Sequence, residues 1–373
     1  MKKIALLGYG VVGKGVRDII EKRDDMEVVR VLVRREIAEV AAISTTNIDD
    51  IVSDPAIDTV VEVMGGVHPA FEYISAALRA GKNVVTANKA VIAARYRELT
   101  ALAAEHGVAL RCTAAVGGGI SWLSELERTR RTQTVEQVGG IMNGTCNYIL
   151  DSMTRLGLGY DEALKQAQQL GYAEANPTTD VEGIDTWHKV ILSANIGFGV
   201  SLIPETVPVC GISKITAADV KQFTARGLVC KLISTGKCKD GRISAYVQPT
   251  LTAHGEPEAA VPGNFNLITL HGSASGRMSF FGQGAGRYPT AHNVIQDCAD
   301  VLAGKGFYSP YGEKVAAKNT DELCYYVSGE TDVWLQERIQ ERWGHASVTK
   351  PVSVEAMHAW HKEHPNAFIA AIG

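Results

Sequence analysis

A chain of 373 residues is longer than one ordinary core accommodates and predicts two domains with an extension. Hydrophobic residues at 46% and charged residues at 21% give the balance of a soluble globular enzyme. A net charge of −4 makes no electrostatic case for nucleic acid or an acidic membrane, and no apolar run reaches the roughly 18 residues of a membrane span, leaving a small-molecule substrate as the expected partner.

Lys3 to Leu7 is a short apolar run without alternation, as expected of a parallel strand buried on both faces. Gly8 interrupts it too early for a signal peptide. Gly8-Tyr9-Gly10-Val11-Val12-Gly13 then leads into a helical pattern through Val16, Ile19 and Ile20. A G-x-G-x-x-G between a strand and a helix points to a dinucleotide. Its first glycine permits the tight turn, its second admits a pyrophosphate, its third lets helix and strand pack, and the helix N-terminus offers N–H groups to the anion. The second strand, Glu27 to Val33, runs into Arg34 and Arg35. Arginine suits a ribose 2′-phosphate where a carboxylate would hold the 2′-OH, so the pair favours NADP over NAD, with Glu36 beside it as the opposing signal.

Further strands are expected at 59–63, 83–86 and 108–112, with helices at 69–80 and 92–106. That alternation predicts a Rossmann-type, doubly wound parallel sheet over residues 1–130. Its strands end in Met64-Gly65-Gly66, Thr86-Ala87-Asn88-Lys89 and Val116-Gly117-Gly118-Gly119, on the side where open α/β sheets bind ligands. Lys89 is there by position. Its plain alternative is a first-turn helix lysine, although cations sit better at a helix C-terminus.

From 131 to 330 the pattern becomes that of an α+β domain for substrate binding and dimerisation. A strand over 135–141 leads to Met142-Asn143-Gly144-Thr145-Cys146-Asn147-Tyr148, and two helices follow, the second near 161–170. Strands are expected around 229–235, 243–249 and 264–280. The loop Phe281 to Ala291 carries Gly284-Ala285-Gly286 and Pro289-Thr290-Ala291, and opens a helix to about 304. Its N–H groups aim at a ligand, so 282–304 is read as returning to the cofactor.

Gly171 to Lys189 is the most informative segment. Pro177 stops regular structure, and Thr179 or Asp180 is placed to cap the helix that follows. Asp185 and Lys189 lie one turn apart on it. An exposed pair of that kind is worth only about 0.3–0.5 kcal/mol. The run Val190 to Gly199 is apolar nearly all round, however, so the helix is expected to be buried, and a buried lysine needs a partner or a task. The extension, 331–373, is more charged. His358, His361 and His364 have a metal-ligand spacing, but no carboxylate or cysteine completes the set, so a peripheral polar helix is expected. Seven scattered cysteines, odd in number and without a Cys-x-x-Cys pair, fit free thiols in a reducing cytoplasm.

Together these motifs resemble the homoserine dehydrogenase family over roughly residues 1–328. The resemblance rests on the first glycine motif, Thr86-Ala87-Asn88-Lys89-Ala90, Val116-Gly117-Gly118-Gly119-Ile120, Asn143-Gly144-Thr145, the whole of 171–189, and the late Gly-Ala-Gly with Pro-Thr-Ala. It implies NAD(P)-dependent interconversion of L-homoserine and L-aspartate 4-semialdehyde, in threonine and methionine biosynthesis, by a cytoplasmic homodimer. It places Lys189 and Lys89 beside the reacting oxygen, with Asp185 holding Lys189. Glu174 and Asp180 would bind the substrate's amino end or its ordered water, and Tyr172, Thr145 and Gly144 would line the pocket. Gly8, Gly10, Val11, Val12, Gly13, Arg34, Arg35, Met64, Gly65, Thr86, Asn88, Lys89, Gly284 and Ala285 would hold NADP, or NAD in second place. Na+ or K+ would be held through backbone near Val116 and Gly118. The chemistry agrees: hydride delivery to an aldehyde creates an alkoxide, which a poised lysine answers, and an α-amino acid needs a carboxylate for its ammonium.

The chain also departs from the family. Ser121-Trp122 stands where proline is usual, and Thr113 where glutamate is usual. The tail after 330 is too short for the regulatory ACT domain that ends many members, so feedback inhibition by threonine is not expected. These changes leave a second reading, a related dehydrogenase for a different amino or hydroxy acid, with Trp122 in its pocket. A non-catalytic nucleotide sensor is a third, against which stand both lysines and the pocket carboxylates.

Overall fold

The computed structural model describes residues 1–305 and 312–373. In chain order it opens with β1 (Lys2–Leu7), α1 (Val11–Ile20), β2 (Met26–Leu32), β3 (Ser44–Thr45), α2 (Asp49–Val52), β4 (Ile57–Glu62), α3 (Ala70–Arg79), β5 (Asn83–Thr86), α4 (Lys89–Glu105), β6 (Leu110–Arg111) and α5 (Trp122–Arg130). There follow β7 (Val135–Ile141), α6 (Gly144–Leu156), α7 (Tyr160–Gln169), α8 (Thr178–Val181), α9 (Ile184–Phe198), β8 (Ser201–Leu202), α10 (Ala217–Thr224), β9 (Leu228–Lys239), β10 (Arg242–Ala253), β11 (Phe265–Gly272), β12 (Gly276–Gln283) and α11 (Arg287–Leu302). The chain closes with β13 (Lys314–Val315), β14 (Glu322–Ser328), α12 (Val333–Gln336), β15 (Ile339–Trp343), β16 (Ala346–Thr349), β17 (Val352–Ser353), α13 (Val354–Glu363) and β18 (Phe368–Ile372).

Two compact units result. The first comprises Met1–Gln133, Asn195–Ser201 and Gln283–Lys314; the second comprises Thr134–Ala194, Leu202–Gly282 and Val315–Gly373. The first unit is built on a parallel sheet in the order β3-β2-β1-β4-β5-β6. Strand order reverses between β1 and β4, the switch point at which such sheets bind dinucleotides. Ile4, Leu6, Val31, Val61 and Val85 fill its core with Val16 and Ile20 of α1, and α11 adds Ala291, Val294 and Ile295. The late helix thus packs within the dinucleotide unit. A Cβ on Gly15 would lie 2.9 Å from the Arg287 carbonyl oxygen and 3.1 Å from Ala291 Cβ, so α1 and α11 touch where α1 has no side chain.

The second unit carries a ten-stranded sheet in the order β12-β11-β7-β9-β10-β18-β14-β16-β15, with β17 paired to β14. The stretch 264–280, read from sequence as one strand-like segment, is the hairpin β11–β12, and Gly276 supplies the positive φ of 66° at its turn. Helix α6 lies over this sheet. On β9 beneath it, Lys231 is fully buried and donates to Asn147 Oδ1 and the Val261 carbonyl, both at 2.8 Å. Burial pushes this ammonium down to about 8, against the weaker pull of Asp151. Between that value and the ordinary 10.5 the unfolded chain holds more protons than the folded one, so stability rises with pH across the window. We expect wild type to gain roughly 3 kcal/mol relative to Lys231→Met between pH 8 and 10.5. Denaturation midpoints of the two proteins across that range check it; a pH-independent difference would mean that Lys231 does not titrate there.

The tail corrects one expectation. Apart from the two-residue β17, it runs β-α-β-β-α-β from β14 to β18, with spatial order β18-β14-β16-β15, which is a ferredoxin-like arrangement. β18 joins it to β10 by parallel pairing, and Tyr325, Val327, Met357, Trp360 and Ile369 form a shared core with Cys210. The tail is therefore integral to the second unit's sheet rather than peripheral. Its three histidines do not share a polar face. His358 is buried, bonds Gln248 Oε1 at 2.9 Å, and is pushed down to about 3 by burial. His361 lies 3.6 Å from Cys210 Sγ, while His364 stacks on Trp360. Among the described residues no group of three or more histidine, cysteine, aspartate or glutamate side chains converges as metal ligands would.

Candidate active site

In the first unit the ends of β1, β4 and β5 build a cradle. Gly8 has φ 101°, and a Cβ on Gly13 would lie 2.5 Å from the Gly8 carbonyl oxygen, so neither position accepts a larger residue. Around Gly10, by contrast, nothing lies within 4 Å of where a Cβ would stand, which leaves room for a phosphate. Helix α1 begins at Val11, and Lys14 N makes its first bond to the Gly10 carbonyl. Helix geometry leaves the N–H groups of Val11, Val12 and Gly13 without an intrahelical acceptor, as pyrophosphate binding requires. These residues fit a dinucleotide. Arg34 and Arg35 follow β2 and are both exposed.

Glu62 organises the neighbouring loops, and sequence reading had not singled it out. Its carboxylate, at 0% exposure, accepts from Met64 N at 2.7 Å, Thr86 Oγ1 at 2.6 Å and Asn88 Nδ2 at 3.3 Å. Burial pushes its carboxyl up, and these donors pull it back towards the ionised form. Met64, Gly65, Thr86 and Asn88 are thereby fixed from one buried carboxyl group. Asn88 also caps α4 through Val91 N, which makes the half-buried Lys89 the first residue of that helix. The late motif lies in the same unit: Gly286, at φ 127°, precedes α11, whose Arg287 Nη2 and Tyr288 hydroxyl both donate to Asp18 of α1. Gly284 and Ala285 stand just before that turn, and a Cβ on Gly118 would lie 2.5 Å from Gly284 C.

The second unit holds the lysine. Lys189 Nζ bonds Asp185 Oδ2 at 2.8 Å and donates to the Met142 carbonyl at 2.6 Å. The two side chains are 9% and 7% exposed, so the exposed-pair reading does not hold. Taking both charges out of water costs more than such a pair returns in stability, which points to a task beyond holding the fold. Asn143, quoted in the sequence only as part of a motif, proves to be the centre of the cluster. Its Nδ2 donates to Asp180 Oδ1 at 2.7 Å and Asp185 Oδ2 at 2.8 Å, while its Oδ1 caps α6 through Cys146 N. An asparagine one residue ahead of a helical pattern is the signal that would have located it.

Thr179 and Asp180 do not cap α9. Both fall inside the short helix α8, and Asp180 is instead held by Asn143. Thr145 Oγ1 donates to the Tyr172 carbonyl at 2.6 Å, and the Tyr172 ring meets Tyr148 edge-on at 5.1 Å. Gly144 has no room for a side chain, since a Cβ would lie 2.5 Å from the Asn264 carbonyl oxygen. Glu174 is exposed, with its carbonyl held by Gln168 Nε2 at 3.1 Å. Trp122 is fully buried in α5, which removes the support it lent, as a pocket residue, to the reading of a different substrate.

A dinucleotide cradle together with a buried lysine clamped between a carboxylate and a carbonyl defines an NAD(P)-dependent oxidoreductase that acts on a CH–OH group. Comparison with known proteins carries this further. The family pattern described as homoserine dehydrogenase, NAD binding domain, matches residues 8–113, and that described as homoserine dehydrogenase matches 122–299. The homoserine dehydrogenase of Bacillus subtilis is 38% identical over 84% of this chain and 77% of its own length. That of Mycobacterium leprae is 42% identical over 87% and 79%. The crystal structure of a homoserine dehydrogenase from Thiobacillus denitrificans superposes with a TM-score of 0.86 at 29% identity, covering 100% of this chain and 98% of the other. The chain belongs to the homoserine dehydrogenase family.

Proposed function

We propose that the protein interconverts L-homoserine and L-aspartate 4-semialdehyde, in threonine and methionine biosynthesis, as a cytoplasmic homodimer that prefers NADP. The observation that carries this reading is the buried Lys189, held by Asp185 and the Met142 carbonyl in a chain of this family. When bound, the nicotinamide ring accepts or supplies the hydride. Lys189 then gives a proton to the alkoxide oxygen in the reductive direction and takes it back in the oxidative one. Asp185 pairs with the Lys189 side chain and aims it, and Lys89 adds positive charge at the reacting oxygen. Glu174 and Asp180 receive the substrate ammonium, while Tyr172, Thr145 and Gly144 shape its pocket.

Arg34 and Arg35, exposed beyond β2, supply the 2′-phosphate contact, and Gly8, Gly10, Val11, Val12, Gly13, Met64, Gly65, Thr86, Asn88, Lys89, Gly284 and Ala285 hold the rest of the dinucleotide. Replacing both arginines by alanine is expected to raise KM for NADP about tenfold, the loss of a charge-assisted contact, with little change for NAD. Steady-state kinetics with each cofactor check it; equal effects on both would place the arginines off the ribose. The homodimer is supported by β12, one of the two outer strands of the ten-stranded sheet, where the exposed Phe281 stacks on Phe265 at 5.0 Å. The cytoplasm is supported by seven cysteines that are all free.

Initial rates of homoserine oxidation with NADP and with NAD at alkaline pH test the reading. Turnover supports it. Cofactor binding without turnover of homoserine would move the function to a different amino or hydroxy acid.

A further inference from the structure

The loop from Thr113 to Ser121, expected from the family resemblance to hold Na+ or K+ through backbone, does not fit such an ion in this chain. A monovalent cation replaces its water shell with carbonyl oxygens whose lone pairs converge on it. Here two of the loop's carbonyl oxygens, those of Gly118 and Ile120, are already engaged by one protein donor. Asn293 of α11, at 0% exposure, directs Nδ2 at the Gly118 carbonyl oxygen at 2.5 Å and at the Ile120 carbonyl oxygen at 3.1 Å. An ion at that point would meet the positive end of an amide dipole.

The orientation of this amide is decided by its partners. Rotated by half a turn, Asn293 would present Oδ1 to two carbonyl oxygens, an arrangement of acceptors alone that an ion between them would have to relieve. In the orientation present, Oδ1 is itself satisfied, accepting from Ser121 Oγ at 2.9 Å. Ser121 is the residue that stands where the family usually has proline, and proline has no hydroxyl to offer. The other departure is absorbed nearby. Thr113 N and Oγ1 each donate to the buried carboxylate of Asp297 at 2.7 Å, and Thr113 Oγ1 also bonds Ser124 Oγ at 2.7 Å. α11 thus reaches the loop at two points one turn apart, through Asn293 and Asp297.

We propose that the side-chain amide of Asn293, oriented by Ser121, takes the place of a monovalent cation in this loop, so that loop order and cofactor binding are independent of Na+ and K+. The activity part of the test rests on the homoserine dehydrogenase reading; the binding and exchange parts do not.

The experiment compares wild type, Asn293→Ala and Ser121→Ala in sodium, potassium and choline chloride at equal ionic strength. Its readouts are NADP affinity, amide hydrogen exchange over residues 113–121, and homoserine oxidation rate. For wild type all three are expected to be the same in the three salts. Asn293→Ala should bind NADP about tenfold more weakly in choline chloride, as expected for a lost buried hydrogen bond, and recover part of that in sodium or potassium. Should that variant fail to fold, Ser121→Ala is expected to lose exchange protection at 118–121 and to regain it with Na+ or K+. Wild-type dependence of affinity or exchange on Na+ or K+ would overturn the proposal, as would unchanged exchange in both variants. Absence of turnover in every salt, with salt-independent NADP binding and exchange, would count against the dehydrogenase reading and leave the proposal standing.

Discussion

Lys189→Ala is expected to lower kcat for homoserine oxidation by about 10³-fold while leaving NADP affinity within about twofold, because the loss falls on proton transfer in the transition state. The ammonium donates to the Met142 carbonyl and pairs with Asp185, and these partners fix its remaining N–H direction. Removing it has a structural consequence as well. Asp185, 5% exposed, keeps Asn143 Nδ2 but loses the lysine it pairs with, and breaking a buried pair on one side costs about 3–5 kcal/mol. The double variant Lys189→Ala with Asp185→Asn also removes the buried carboxylate. It should recover most of the lost stability and none of the lost rate. Stability curves and kcat for the two variants separate the roles. A double variant that regained activity along with stability would show Lys189 to be a structural lysine, and would sink the proton-transfer role.

The sequence was legible where a feature is local. Strands over Asn83–Thr86 and Val135–Ile141 stand where their apolar runs predict them, and Asp185 and Lys189 meet because a helix sets residues four apart on one face. The strand expected over 108–112 shrinks to Leu110–Arg111 for a reason no window of sequence contains. Arg111 is drawn into a buried pair with Asp297, 186 residues away, and the chain turns into a short 3-10 segment at Thr113. The same distance hid Asn143, whose two carboxylate partners lie 37 and 42 residues on. It also hid Asn293, whose carbonyl acceptors lie 175 and 173 residues back. The tail misled for another reason. Its first helix, α12, has four residues, too few to show a helical period, and its strand β14 begins before the point at which composition changes. A charged, tryptophan-bearing stretch therefore read as an appendage, although Trp360 and Ile369 belong to a common core with Cys210.

The buried pair of Arg111 and Asp297 is where a second large effect on stability is expected. Arg111 is 2% exposed and gives Nε to Asp297 Oδ1 at 3.1 Å and Nη2 to Asp300 at 3.0 Å, with Glu127 at 3.8 Å. Asp297 in turn takes both donors of Thr113. Asp297→Ala therefore removes at least three hydrogen bonds at once and takes from the guanidinium its most buried carboxylate. The cost expected is about 3 kcal/mol, the lower end for a buried pair broken on one side, because Asp300 remains. A chain of two units need not unfold in one step, so a readout confined to the first unit is the sharper test here. Amide hydrogen exchange reports the first unit by itself. Protection in α11 and in residues 110–130 should fall about 10²-fold in Asp297→Ala, the equivalent of that free energy, while β9 and β10 of the second unit keep theirs. Asp297→Asn, which keeps an acceptor for Thr113, should lose less. Undiminished protection in α11 would mean that Arg111 is held without Asp297, with Asp300 and Glu127 among its remaining partners, and that the Thr113 loop is anchored by Asn293.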